Sequence, residues 1–126
     1  MTALADAKAH LVKAREFLEA ARLTNELDLF NAATSDAVVS GINSKDAICL
    51  RLIGVTRKSD AHQDAVAELK SAGPTGKELA PTFSRLLKLK TKSQYQSASV
   101  AGTDAGRAIE WAERMLAAAE KAVSSR

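Results

Sequence analysis

The stretch NAATSDAVVSGINSKDAICLRLIG, residues 31–54, decides the fold class of this chain. It is apolar enough for a core helix, because alanine and branched aliphatic residues recur along it with helical spacing. Polar side chains nevertheless interrupt it, at Asn31, Ser35, Ser40, Asn43 and Asp46. A buried polar group costs free energy unless it is hydrogen-bonded. The stretch therefore predicts a central helix whose polar residues form either an internal network, a binding site or a solvated stripe on its outer side.

The remaining sequence also shows helical periodicity. We predict five helices, over residues 4–24, 27–53, 59–72, 80–95 and 103–123, from apolar side chains three and four residues apart. The sequence GPTG at 73–76 is predicted to be a break, because glycine and proline are common in turns. No segment alternates apolar and polar residues as a half-buried strand does. The prediction is an all-α chain with one domain over residues 1–126.

Composition and charge restrict the class of protein. The 126 residues are enough for a single sizeable core. No apolar segment approaches the roughly 20 residues of a membrane span, and the N-terminus lacks the apolar run of a secretory signal, so we expect a soluble cytoplasmic protein that does not bind a membrane. A formal net charge of +3 allows an anionic partner without requiring one. Cys49 lies in an apolar run and is expected in the core.

The sequence contains no motif for a metal or a cofactor. The two histidines, His10 and His62, lie on different predicted helices, and Cys49 has no second cysteine to pair with. We therefore expect no metal site. The glycines and the lysine of 73–77 fall short of the spacing of a phosphate-binding loop, and no strand precedes them. We expect no cofactor.

Arg57 and His62 are separated by four residues near the start of the third predicted helix. The pair suits RNA cleavage, since a histidine can transfer a proton near neutral pH and an arginine can stabilise the charge that develops on a phosphate. Asp46 is then a candidate to orient the His62 ring. The alternative is a structural His62 that hydrogen-bonds to the polar side chains of the second helix.

The fourth predicted helix carries a row of basic residues. Arg85, Lys88 and Lys92 are spaced three and four residues apart, and Tyr95 follows them. Such a row can bind a phosphate backbone, with the ring of Tyr95 stacked on a base. Alternatively, the cations only interact with the negative end of the helix dipole. Lys88, Lys92 and Tyr95 are candidate binding residues, together with Asp46 if it forms a buried pair with a lysine or a histidine.

The order of these segments resembles the HEPN domain family over nearly the whole chain. The resemblance rests on AKAHLVKAREFLEAAR at 7–22, NAATSDAVVSGINSKDAI at 31–48, SDAHQDAV at 59–66, LLKLKTKSQY at 86–95 and TDAGRAIEWAERMLAAAEKAV at 103–123. It implies a five-helix up-and-down bundle that often dimerises. In ribonuclease members of the family, an arginine and a histidine with four to six residues between them line a cleft between two protomers. Arg57 and His62 match that spacing.

The resemblance leads to two functional hypotheses. In the first, the chain binds RNA or a nucleotide and is a metal-independent endoribonuclease of toxin or defence type. His62 is then the general acid and base, Arg57 stabilises the phosphate charge, and Lys88 and Lys92 hold the backbone. In the second, the chain is a non-catalytic module that forms a homodimer or pairs with a separate protein. Exposure of Arg57 and His62 together in a cleft favours the first hypothesis, and burial of His62 against the second helix favours the second.

Overall fold

The computed structural model describes residues 2–57, 61–94 and 96–125. It contains five α-helices: α1 (Ala3–Glu26), α2 (Phe30–Ile53), α3 (His62–Lys70), α4 (Gly73–Gln94) and α5 (Gly102–Ser124). No strand occurs in those ranges, so the predicted all-α class is confirmed. Helix α2 is central and packs against each of the other four helices, while α3 packs mainly on α4. None of the described helices is long and apolar enough to cross a bilayer.

The core forms where α1, α4 and α5 pack on α2. Every residue from 43 to 50 is buried, which confirms the prediction of a central helix in contact with several others. On α1, the alanines at 7, 14 and 21 are completely buried, and such small side chains allow two helices to approach closely. The thiol of Cys49 is buried in this core, where desolvation raises its pKa to about 12. Leu4, in the first turn of α1, is 44% exposed.

Helix α4 begins at Gly73, earlier than residue 80 where we predicted its start. The sequence GPTG is therefore the first turn of α4 and not a break, and Pro81 lies inside the helix. Proline is tolerated in a first turn because the N–H groups there have no helical acceptor. The chain instead turns at residues 71–72, and Gly73 has a positive φ of 84°, which glycine adopts without steric cost.

Polar residues at the start of α2 attach the segment between α4 and α5. The side-chain oxygen of Asn31 accepts a hydrogen bond of 2.8 Å from the backbone N–H of Val100. Gln94 Nε2 donates to Ser35 Oγ at 2.8 Å. Asn31 and Ser35 are therefore structural, and they explain two of the polar interruptions of this helix.

Candidate functional site

Lys45 and Asp46 of α2 belong to a buried ion-pair network. Lys45 Nζ lies 2.6 Å from Glu68 Oε1 on α3 and 3.4 Å from Asp46 Oδ1. It also donates to Thr56 Oγ1 at 3.1 Å. We call these four residues the Lys45 network. The side chains of Lys45, Asp46 and Glu68 are only 2%, 5% and 5% exposed, so Asp46 is not part of a solvated stripe.

Glu68 is the acceptor on which this network converges. Its Oε1 accepts hydrogen bonds from Lys45 and, at 2.8 Å, from the backbone N–H of Arg57. Burial alone would raise the pKa of Glu68. The hydrogen bonds from Lys45, Arg57 and Thr56, together with the charge of Lys45, outweigh burial and hold that pKa below its usual range. Glu68 is therefore ionised at neutral pH.

Asp46 lies beside His10 and not beside His62. His10 Nδ1 is 3.8 Å from Asp46 Oδ2 and 2.8 Å from Asn43 Oδ1. The amide of Asn43 is oriented by a bond of 2.9 Å from its Nδ2 to the carbonyl of Val39, so its oxygen faces the imidazole and Nδ1 is the donor. Of the alternatives that the sequence left open for Asp46, the structure shows a buried pair with Lys45, beside His10. The role of orienting His62 is not supported, since the hydrogen-bond partner of the His62 ring is on α4.

His62 is the first residue of α3 and packs half-buried against α4. Its Nε2 lies 3.0 Å from Ser84 Oγ. Lys88 is one helical turn beyond Ser84 on the same face of α4. Burial and the positive charge of Lys88 lower the pKa of His62 below 6.5, so the ring is predominantly neutral at neutral pH. A neutral imidazole is the form that can accept a proton from a reacting hydroxyl.

Arg57 has a fixed backbone and an exposed guanidinium. The backbone N–H is bound by Glu68, and Nη1 lies 3.6 Å from Glu68 Oε2. The side chain is nevertheless 83% exposed. It borders a shallow cavity of about 320 Å³ on α3, lined also by Asp64, Ala65, Ala67, Glu68 and Ser71.

Arg57 and His62 therefore contact different neighbours. Glu68, which holds Arg57, follows His62 by six residues, which places it about 9 Å further along α3 and on another side of the helix. His62 contacts α4 through Ser84. The joining residues 58–60 lie outside the described residues. Arg57 is thus anchored beside α3, and His62 is anchored between α3 and α4.

The predicted basic row is only partly free to bind an anion. Arg85 and Lys88 are exposed on α4. Lys92 Nζ forms an ion pair of 3.0 Å with Asp104 Oδ2 on α5, where the lysine side chain is 39% exposed. Tyr95 lies outside the described residues. In the described ranges, no group of three or more His, Cys, Asp or Glu side chains is placed to hold a metal ion.

The sequence did not reveal the residues that hold the two candidate side chains. Glu68 holds Arg57, and Ser84 contacts His62. His10, Lys45 and Thr56, which contact Asp46 or Glu68, were not singled out either. A weak signal exists for Glu68, which lies three residues after Ala65 and next to Leu69 and so falls on the apolar side of α3. Charged residues are rarely buried unless paired, and the pairing with Lys45 becomes visible only in the fold.

Comparison with known proteins assigns the chain to a family. A search of curated proteins gives no match. The model of the HEPN domain matches residues 7–122, a range that extends from α1 to α5. Because this match covers most of the sequence and the fold is an all-α bundle, the chain belongs to the HEPN domain family, whose members are in general related to nucleotides and RNA and include nucleases.

Proposed function

We propose that this HEPN domain binds RNA or a nucleotide through phosphate groups at the surface of His62, Ser84 and Lys88, and cleaves RNA there without a metal ion, as toxin or defence ribonucleases do. The observation that supports this most is the environment of His62. Its Nε2 is oriented by Ser84, and the exposed Lys88 lies on the same face. A proton-transfer group and a cation are therefore next to each other at the surface.

The chemistry assigned to this surface is general acid–base catalysis. Neutral His62 takes the proton of a ribose 2′-hydroxyl, so that a bond forms between O2′ and phosphorus. The bond between phosphorus and the 5′ oxygen then breaks, and the protonated His62 returns its proton to the leaving oxygen. Ser84 is a hydrogen-bond partner that the substrate hydroxyl replaces. Lys88 compensates the negative charge that increases on the phosphate in the transition state.

Arg57 is proposed to complete the site in a homodimer. Within one chain Arg57 is anchored on Glu68 and His62 on Ser84, yet the Arg57 guanidinium is 83% exposed and free to approach a phosphate at an interface. The family resemblance implies such a cleft between protomers. We further propose that Lys92 and Tyr95 extend this surface along the RNA. Lys92 exchanges Asp104 for a phosphate, and Tyr95 stacks on a base.

Cleavage of total cellular RNA in excess EDTA tests this function. The wild type is expected to degrade the RNA, while His62→Gln, which keeps a hydrogen bond to Ser84, and Lys88→Ala are expected to lose most of the activity. The matched control is Lys121→Ala, which removes an exposed lysine of α5. An intact RNA with folded wild-type protein, or equal activity of wild type and His62→Gln, would contradict the proposal.

One observation favours a second function, that of a non-catalytic module pairing with a second copy or a separate protein. Leu52, Ile53 and Val55 at the C-terminal end of α2 are 41%, 38% and 51% exposed. Leu4 and Gly54 line one groove at the same end. Neighbouring exposed apolar residues are typical of interaction sites.

Sedimentation velocity tests this second function. The double variant Leu52→Glu/Val55→Glu is expected to convert a dimer into a monomer with unchanged melting temperature. Val12→Glu, at an exposed apolar position on α1, is the control and should stay dimeric. A wild type that is monomeric at all concentrations would contradict self-association through this surface.

A further inference from the structure

We infer that Glu68 is a positioning residue for Arg57: its buried carboxylate holds the backbone and the guanidinium of Arg57 in the orientation that a substrate phosphate requires. This inference rests on the proposed function and assigns a role to a residue of α3 that lies outside the Arg57 and His62 pair. Glu68 does not touch the substrate and acts through Arg57.

The geometry supports this role from two directions. Glu68 Oε1 accepts the backbone N–H of Arg57 at 2.8 Å, and Oε2 lies 3.6 Å from Nη1 of the same residue. One carboxylate therefore contacts both ends of Arg57. The side chain of Glu68 is only 5% exposed, and it cannot move without breaking its bond of 2.6 Å to Lys45.

Residues 55–57 lie outside the helices, so Arg57 is not held by helical hydrogen bonds. Helix α2 ends at Ile53, and Gly54 caps it in a left-handed conformation with a φ of 77°. Thr56 Oγ1 then donates to Asp46 Oδ1 at 2.5 Å, and the next residue binds Glu68. These two bonds attach the segment to α2 and α3. A catalytic group held in place before substrate binds loses less entropy in the transition state.

Charge balance explains why the guanidinium stays near Glu68. Oε2 of Glu68 is buried and has no hydrogen bond among the residues that the structure describes. A buried carboxylate oxygen without compensation is costly, so the nearby Arg57 cation is favourable there. The same cation remains largely in solvent, where it can reach a phosphate.

A double-mutant cycle on RNA cleavage in EDTA separates positioning from general structural support. The variants are Glu68→Gln, Arg57→Ala and the combination. We expect Glu68→Gln to lower kcat by about 10- to 100-fold with KM nearly unchanged, as misplaced catalytic groups do. The combination should be no slower than Arg57→Ala alone, because Glu68 acts only through Arg57. If the combined variant loses kcat by the product of the two single-variant losses, the inference is overturned. Glu120→Gln, in the exposed ion pair with Arg15, is the matched control and should cleave at the wild-type rate.

The Arg57 amide gives a readout that does not depend on activity. Its ¹H and ¹⁵N shifts should follow the titration of Glu68 in the wild type, and its hydrogen exchange should accelerate in Glu68→Gln. If Glu68→Gln does not fold, Thr56→Val, which removes only the neighbouring hydroxyl, takes its place in both experiments. If the Arg57 amide responds neither to the titration of Glu68 nor to the substitution, the inference is overturned. A wild type that holds this amide but cleaves no RNA supports the contact and contradicts the proposed function.

Discussion

Lys45 Nζ and Glu68 Oε1 are 2.6 Å apart in the interior of the protein, and they join the middle of α2 to α3. Because Glu68 also binds the backbone of Arg57, this ion pair extends from the core to a candidate site at the surface. Two of the buried polar residues of α2, Lys45 and Asp46, are therefore explained by the need to hold the α2–α3 connection.

Removal of one partner of this ion pair should strongly destabilise the protein. Lys45→Ala leaves Asp46 and Glu68 buried without their lysine, and we expect it to lower the free energy of unfolding by about 3–5 kcal/mol. The double variant Lys45→Met/Glu68→Leu should lose less, because no unpaired glutamate charge remains. Urea denaturation of the three proteins measures both quantities. A double variant at least as unstable as Lys45→Ala would contradict this account of the network.

The carboxylate of Glu68 should make the free energy of unfolding depend on pH in the acidic range. The pKa of Glu68 in the folded protein lies below its ordinary value of 4.5, so the unfolded chain takes up the proton first as the pH falls. The stabilisation is complete above pH 4.5 and decreases as the pH falls through the folded pKa. Urea midpoints measured from neutral pH to about pH 3 should decrease more for the wild type than for Lys45→Met/Glu68→Leu. Parallel curves for the two proteins would exclude Glu68 as the titrating group.

The His62 ring should titrate below the ordinary histidine value of 6.5, chiefly because it is half-buried and secondly because of Lys88. Its ¹H–¹³C ring signals should show this in an NMR titration. Lys88→Ala should raise the pKa only partly towards 6.5, since burial remains, and Lys121→Ala should leave it unchanged. Because the unfolded chain binds this proton more readily, protonation of His62 lowers stability as the pH falls from 6.5 to the folded pKa. A His62 that titrates above 6.5 would contradict the described environment.

Replacing either of two glycines by alanine should change the free energy of unfolding, in opposite directions for the two sites. A Cβ at Gly76 would lie 1.8 Å from the carbonyl oxygen of Leu69, so Gly76→Ala must separate α3 from α4. We expect a loss of at least about 2 kcal/mol in the free energy of unfolding, as for other overpacked sites. At Gly106 a Cβ meets no atom within 4 Å, so Gly106→Ala should stabilise α5 by about 0.5–1 kcal/mol. Chemical denaturation measures both, and a neutral Gly76→Ala would show that the α3–α4 junction is looser than described.

The sequence predicted the helices well where apolar spacing was regular. The 3/4 spacing of α1 and α5 places both helices close to their observed bounds, and the long apolar surface of α2 correctly indicated a central position. The start of α4 was wrong because glycine and proline at 73–76 are common both in turns and in first helical turns. Only the approach of Gly76 to Leu69 shows that a glycine is required inside this helix.

The candidate site was predictable only in part. The spacing of Arg57 and His62 is visible in the sequence, but the residues that fix them are 11 and 22 positions away, at Glu68 and Ser84. Arg57 and His62 meet these partners because α3 packs between α2 and α4. The apolar periodicity of the sequence predicts helices but not how they pack against each other. Asp46 was a reasonable partner for His62 on its chemistry, yet the position of α1 brings His10 to it instead.

The most direct test of the central claim is the cleavage of a defined RNA oligonucleotide in EDTA, compared with the same oligonucleotide carrying one 2′-deoxynucleotide at the cleaved position. If His62 uses the 2′-hydroxyl as described, the wild type cuts the RNA to a product ending in a 2′,3′-cyclic phosphate. It should not cut at the 2′-deoxy position, and His62→Gln should cut neither oligonucleotide. Cleavage of both oligonucleotides, or of the RNA by His62→Gln at the wild-type rate, would contradict the account.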